Sequence, residues 1–177
     1  LDELTRAMGI NRPSLYAEFG NKHGLFLAAL DRYFATRSAR QSLPLIEEPN
    51  VRDAVEGYYN EIVRSVTSAD HPSGCLIASV ATEISERDSI VRKKVSDLLT
   101  QAENLLDSRL AAAGYGPQED GKAPKVTGAM IITAGLSFSP RARLGASRGE
   151  LERVARAFIE RFFDHRDQPE TQNLGER

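Results

Sequence analysis

The chain has 177 residues, of which 41% are hydrophobic and 27% are charged, so it can bury the core of one domain, or of a small module fused to a larger one, and stay soluble. It has no run of about 18 apolar residues, and no transmembrane helix is therefore expected. The formal net charge of −2 does not by itself indicate nucleic acid, and a single cysteine, Cys75, excludes an internal disulfide, which favours the cytoplasm.

Two short helices are predicted at the start of the chain. The first covers residues 1–8, and Gly9 allows a tight turn after it. The second covers residues 12–19, with Asn11 as a good N-cap and Pro13 in its first turn. The apolar side chains expected to pack between these two helices are Leu4, Met8, Ile10, Leu15 and Phe19.

A third, longer helix is predicted over residues 21–40, beginning at the N-cap Asn21. The first two helices are too short to be stable alone, so we expect them to pack on the third. Pro44 and Pro49 predict a loop after it. Further apolar stripes with a helical period predict helices over residues 51–67, 75–84, 88–112, 126–138 and 147–164.

Local signals accompany several of these helices. Asp88 can cap the helix that follows it, with Ile90 on its inward face, and Ser147 and Glu150 have the spacing of a capping box. Pro140 should end or kink the helix before it. No segment alternates like a strand, so the predicted fold class is all-α, with about nine helices. The most regular apolar stripe consists of Val51, Ala54, Val55, Tyr58, Tyr59, Ile62, Val63 and Val66.

The two short helices and their glycine-containing turn have the arrangement of a helix-turn-helix. In its DNA-binding form, the second helix enters the major groove N-terminus first. Arg12 could then read a guanine edge, while the hydroxyls of Ser14 and Tyr16 and the charge of Lys22 could bind phosphates. Tyr16 could instead be a partly buried aromatic residue. The predicted DNA-contacting residues are Asn11, Arg12, Pro13, Ser14, Tyr16 and Lys22.

The stretch "LDELTRAMGINRPSLYAEFGNKHGLFLAAL" resembles the DNA-binding head of the TetR family of bacterial transcriptional regulators. It departs from the family pattern at Thr5 and Met8, where alanine is common. A further helix precedes this run in the family, so we expect the head to be incomplete at its N-terminus here. The matching positions are Leu4, Gly9, Ile10, Leu15, Tyr16, Phe19, Lys22 and Leu25.

The resemblance also implies a division of the chain. A DNA-binding head would cover residues 1–40, a ligand-binding and dimerisation domain residues 41–166, and a flexible tail residues 167–177. Within the second region, "SGCLIASVATEI" and "GASRGELERVARAFIERFF" are similar to segments of many family members.

Two sets of residues follow from the same resemblance. A small-molecule pocket among the middle helices would involve Tyr58, Tyr59, Ile62, Cys75, Ser79 and Phe138, and plain core packing is the alternative for each of them. The last two helices would form a four-helix bundle with a second copy of the chain. The candidates for that dimer interface are Met130, Ile131, Leu136, Phe158, Ile159 and Phe162.

The resulting hypothesis is a homodimeric, ligand-responsive regulator in the cytoplasm, a repressor released from operator DNA by a small-molecule inducer. We expect no cofactor, no metal and no enzymatic activity. One alternative is a helical module that binds a small molecule and dimerises without touching DNA. Another is a helical-bundle enzyme, but Glu83 and Glu86 have no Glu-x-x-His partner. Cys75 is either a buried, inert thiol or a redox sensor.

Overall fold

The computed structural model describes residues 1–70, 72–116 and 126–163. All regular secondary structure within those residues is helical, which confirms the predicted all-α class, and the number of helices is close to the expected one. The α-helices are α1 (Asp2–Met8), α2 (Arg12–Phe19), α3 (Lys22–Tyr33), α4 (Ala39–Glu47), α5 (Val51–Val66), α6 (Leu76–Glu83), α7 (Ser89–Ala112), α8 (Gly128–Leu136), α9 (Phe138–Arg143) and α10 (Arg148–Phe163).

The chain divides into two compact units, Leu1–Arg40 and Gln41–Arg177, here called the head unit and the body unit. The chain passes from one to the other within a helical run over residues 22–47, in which a π-helical segment, Phe34–Ser38, separates α3 from α4. The predicted tail over residues 167–177 lies outside the described residues.

The core of the body unit is built on α5. All eight residues of its predicted stripe are buried, and Tyr59, Val55 and Val66 are fully enclosed. A stripe of this width covers more than one row of the helix, so α5 can pack against several neighbours at once. The neighbouring helices contribute further fully buried side chains, among them Leu106, Leu110, Ile131, Phe138 and Leu151.

The predicted helix starts are confirmed by their hydrogen bonds. Asp88 accepts from the backbone amides of Ile90 and Val91 at 3.0 and 3.1 Å, which caps α7. Ser147 and Glu150 form the expected capping box: the Glu150 carboxylate accepts from the amide and the hydroxyl of Ser147 at 2.7 Å. These bonds satisfy amides that have no partner within the helix.

The predicted loop between Pro44 and Pro49 is wrong in part, because α4 continues to Glu47 with Pro44 inside it. A proline in a helix loses one backbone hydrogen bond and crowds the preceding turn. Its ring packs closely against α5 at Gly57, where a Cβ atom would lie 2.8 Å from the Cβ of Pro44. A contact between distant positions therefore outweighs a local helix-breaking signal.

The helix expected over residues 126–138 is divided at Ser137, three residues before Pro140. Pro140 lies in the first turn of α9, where its missing amide has no helical partner to lose.

Ile90 is 51% exposed, so its predicted inward position is wrong. It is the second residue of α7, and the buried stripe begins one position later at Val91.

None of the helices in the part of the chain that the structure describes is long and apolar enough to cross a membrane.

Candidate functional site

The turn between α1 and α2 sets the geometry of the head unit. Gly9 adopts a positive φ of 65°, and the amide of Ile10 donates to the carbonyl of Thr5 at 3.1 Å. Thr5 is the buried residue of α1, whereas Leu4 and Met8 each keep 50% exposure, so their predicted burial is wrong. A seven-residue helix presents only a narrow stripe to its neighbour.

Thr5 can occupy that stripe because its hydroxyl donates to backbone carbonyl oxygens of the preceding turn, those of Leu1 at 3.3 Å and Asp2 at 3.1 Å. Burial of a polar group costs little free energy when the group is hydrogen-bonded.

Helix α2 is anchored by Leu15, which is 1% exposed. Asn11 caps it as predicted, accepting from the amide of Ser14 at 2.8 Å, and Pro13 lies in the first turn. With Leu15 held inside, the opposite face of the helix is turned to solvent. Each of the predicted DNA-contacting residues on or beside α2 is exposed: Asn11, Arg12, Pro13, Ser14 and Tyr16.

Lys22 is also exposed, at the first position of α3. Asn21 caps that helix by accepting from the amide of Gly24 at 2.9 Å. A Cβ atom on Gly24 would lie 2.0 Å from the carbonyl oxygen of Phe19, so glycine is what permits the start of α3 to pass this close to the end of α2. Lys22 therefore follows Phe19, the last residue of α2, by only three positions.

Arg12 faces a carboxylate of α1. Its Nε and Nη2 atoms donate to the same oxygen, Oδ1 of Asp2, at 2.9 and 2.5 Å. The two side chains remain 54% and 69% exposed, so the ion pair contributes little to stability. Sequence reasoning missed the pair because its members are ten residues apart and only the turn at Gly9 brings them together.

The predicted ligand-binding residues come together in the body unit. The ring of Tyr59 meets that of Phe138 edge to face at 5.4 Å and lies 5.8 Å from that of Tyr58. The hydroxyl of Tyr59 donates to the carbonyl of Ile131 at 2.9 Å. Ser79 is half-buried, while the others are buried: Tyr58, Tyr59, Ile62, Cys75 and Phe138.

Burial is also the main influence on the titration of the two tyrosines. It raises the pKa of the Tyr58 hydroxyl well above its ordinary value, and the neighbouring Cys75 adds to the shift. Burial likewise raises the pKa of Tyr59, with a smaller contribution from Tyr58. Both side chains are therefore neutral hydrogen-bonding groups rather than general bases. Among the described residues, no group of three or more His, Cys, Asp or Glu side chains could hold a metal ion.

An open apolar groove of about 500 Å³ lies between α8 and α10. Phe158 and Phe162 stack in its lining, with ring centroids 5.9 Å apart and planes 15° apart. Met130, on α8, is 42% exposed. The residues that line the groove are Ala129, Met130, Thr133, Ala134, Ser137, Phe158 and Phe162.

Three predicted dimer-interface residues, Met130, Phe158 and Phe162, therefore share one surface feature. Leu136 is half-buried and outside the lining, whereas Ile131 and Ile159 are buried in the core of the body unit. The small and hydroxyl side chains of the groove were not predicted. They carry no apolar signal in the sequence, and their role depends on the approach of α10.

Comparison with known proteins places this arrangement in a family. Over 159 residues, the chain is 33% identical to the HTH-type transcriptional repressor ComR of Escherichia coli (strain K12), covering 88% of this chain and 75% of ComR. The chain belongs to the TetR family of transcriptional regulators. Residues 52–134 match the family model described as the C-terminal domain of LmrA/YxaF-like transcriptional regulators.

Two further comparisons support the TetR assignment. The HTH-type transcriptional repressor BdcR of the same strain is 33% identical over 75 residues, covering 42% of this chain and 38% of BdcR. A solved structure of the TetR family regulator CifR, a cysteine mutant in complex with 26-bp double-stranded operator DNA, superposes with a TM-score of 0.76. That match has 28% sequence identity and covers 90% of this chain and 84% of CifR.

Proposed function

We propose that this TetR-family chain is a homodimeric repressor in the cytoplasm that binds operator DNA through α2 and leaves it when a small molecule binds the body unit. One observation carries the DNA-binding part: α2 is held by Leu15 and turns Arg12, Ser14 and Tyr16 outward. The names of ComR and BdcR, and the operator complex of CifR, support the same role.

The chemistry of the exposed face suits a DNA backbone and a base edge. Arg12 supplies planar donors for a guanine, whereas the hydroxyls of Ser14 and Tyr16 supply neutral donors for phosphate oxygens. Lys22 adds a point charge for the flanking phosphate. Cap formation already occupies the side-chain oxygen of Asn11, so we assign it to the helix start before any base contact.

Salt-dependent DNA binding tests this assignment. Tyr16→Phe combined with Lys22→Ala should weaken binding to selected and random duplexes by the same factor, because phosphate contacts carry no sequence information. Loss of the lysine contact should reduce the slope of log affinity against log salt by about 1.

Lys93→Ala, at an exposed lysine of α7 that pairs with Asp97 in the body unit, is the matched control and should leave affinity unchanged. Wild-type affinity in the double variant would refute the phosphate contacts. Absence of DNA binding by the wild-type protein would favour the alternative, a helical module that does not touch DNA.

The groove between α8 and α10 supports dimerisation. An apolar groove of about 500 Å³ with two stacked phenylalanines in its lining is a surface that a second copy can cover. DNA recognition also favours a symmetric dimer. The two recognition helices, one from each copy, must reach successive major grooves about 34 Å apart. Sedimentation of the purified protein should give a dimer at micromolar concentration, and a monomer would contradict the proposal.

The cluster around Tyr58 is where we propose that the small molecule binds. Gly135 on α8 lets the Tyr58 ring approach closely, because a Cβ atom there would lie 3.3 Å from Cε1 and 3.5 Å from the hydroxyl of Tyr58. A neutral hydroxyl among aromatic rings suits an apolar ligand with one polar group.

A thermal-shift screen should therefore find compounds that raise the melting temperature and also release DNA. Tyr58→Phe should weaken that response. Compounds that act equally on both proteins would place the ligand elsewhere.

A further inference from the structure

We infer that Asp2 is a specificity-determining residue, which orients the Arg12 guanidinium so that its free edge reads a base. The inference rests on the proposed contact between Arg12 and DNA. Its physical basis is the choice of donors, because Asp2 engages Nε and Nη2, which form one edge of the guanidinium.

The opposite edge of the guanidinium stays available. Arginine has five N–H donors in a fixed fork. Two of them point to Oδ1 of Asp2, which leaves both donors of Nη1 and one of Nη2. Those two nitrogens form the end of the fork, and a fork of that geometry can pair with O6 and N7 of guanine. The ion pair with Asp2 therefore leaves the base-reading edge of Arg12 unobstructed.

The position of the pair fits this role. Arg12 is the first residue of α2, at the end of the helix that enters the groove first in helix-turn-helix proteins. Asp2 is the first residue of α1, and its carboxylate lies beside that end because of the turn at Gly9. The hydrogen bonds to the carboxylate favour one orientation of a side chain that would otherwise sample many rotamers, which lowers the entropic cost of base recognition.

The negative charge has a second effect. An arginine paired with a carboxylate is drawn less strongly to phosphates, which are present at every sequence. Asp2 should therefore weaken random binding while favouring the sequence that accepts the fork. The outcome is discrimination between sequences rather than greater affinity.

The test compares full-length wild-type protein with Asp2→Asn, Arg12→Lys and the double variant. One probe is a duplex selected from a random pool by the wild-type protein, and the other is random duplex of equal length. Asp2→Asn should reduce the ratio of selected to random affinity by about 3- to 10-fold, and Arg12→Lys by about 10-fold or more. In the Arg12→Lys background, Asp2→Asn should not reduce the ratio further.

Glu3→Gln is the matched control, because Glu3 is an exposed acid in the same first turn of α1. It removes an equal charge, so it should change both affinities by one factor and leave their ratio unchanged. The base preference gives a second readout: Asp2→Asn and Arg12→Lys should both lose preference at the same base pair. A merely structural role for Asp2 would lower the affinity for every sequence alike.

Three outcomes would overturn the inference. If Asp2→Asn behaves like Glu3→Gln, Asp2 acts only through its charge. If Asp2→Asn raises the preference at the Arg12 base pair, Asp2 masks Arg12 instead of orienting it. If Arg12→Lys keeps the wild-type ratio while DNA binding stays salt-dependent, Arg12 does not read a base and the repressor function still stands. A wild-type protein that binds no DNA would instead refute the proposed function.

Discussion

At the scale of single residues, Tyr58 and Tyr59 stand out because burial raises the pKa of both hydroxyls. They are consecutive in α5, yet both are buried, because the apolar stripe of that helix is wide enough to include two neighbouring positions. Tyr59 is tied to the carbonyl of Ile131. Each hydroxyl has left water, and the folded protein therefore resists the ionisation of both.

This resistance predicts a loss of stability in alkali. Burial raises the folded-state pKa of both tyrosines, so their contribution to stability is complete below the unfolded value of about 10. Above that pH the unfolded chain loses protons that the folded protein keeps, and unfolding becomes easier by up to about 1.4 kcal/mol per pH unit for each tyrosine.

Denaturant unfolding between about pH 9 and 11 measures the effect. Tyr58→Phe should reduce the fall in unfolding free energy across that range. Equal slopes for wild type and Tyr58→Phe would mean that Tyr58 ionises freely in the folded state.

At the scale of helices, predictions succeeded where the signal is local. Asn11, Asp88 and Ser147 each satisfy an amide within three residues along the chain, so the sequence alone contains both partners. Predictions failed where a residue far along the chain determines the local conformation or burial. Pro44 is helical beside Gly57, and the residue of α1 that is buried is Thr5.

The candidate sites divide in the same way. The exposed face of α2 follows from helical spacing once Leu15 is placed inside. Two features depend on how the chain turns: the pairing of Asp2 with Arg12, and the close approach of α3 to α2 at Gly24. The angles of these turns cannot be predicted from the sequence. The groove of the body unit likewise requires the final placement of α8 against α10.

Gly128 provides a prediction about helix packing. It begins α8, and its amide donates to Oδ1 of Asp107 at 2.6 Å. A Cβ atom there would lie 2.3 Å from the carbonyl oxygen of Glu103 on α7, and backbone cannot move aside like a flexible side chain. Gly128→Ala should therefore cost about 3 kcal/mol of unfolding free energy, which lowers Tm by roughly 6–12 °C.

Gly149→Ala is the control within α10. A Cβ atom at Gly149 would meet only Nη1 of Arg153, at 3.9 Å. Alanine has the higher helix propensity, so this variant should gain up to about 1 kcal/mol. Calorimetry on both variants decides the matter: similar melting temperatures would show that α7 and α8 can separate enough to admit a methyl group.

At the scale of the whole molecule, the proposed repressor depends on a second copy covering the groove between α8 and α10. Met130 is the best position to test this, because it is 42% exposed and contributes little to the core of its own chain. It is the third residue of α8, where an aspartate is favourable near the positive end of the helix. Met130→Asp should therefore fold as a monomer.

In a dimer, each copy would bury its aspartate against apolar side chains at a cost of about 3 kcal/mol or more. The two copies together would cost about 6 kcal/mol, which raises the dimer dissociation constant about 10,000-fold. Sedimentation velocity should show monomer where the wild type is dimeric, and binding to a two-site operator should weaken, because each head unit then binds alone. Leu144→Asp is the control: this side chain is 88% exposed outside the groove, so the variant should remain dimeric. If Met130→Asp stays dimeric to the same dilution as the wild type, the two copies meet on another surface.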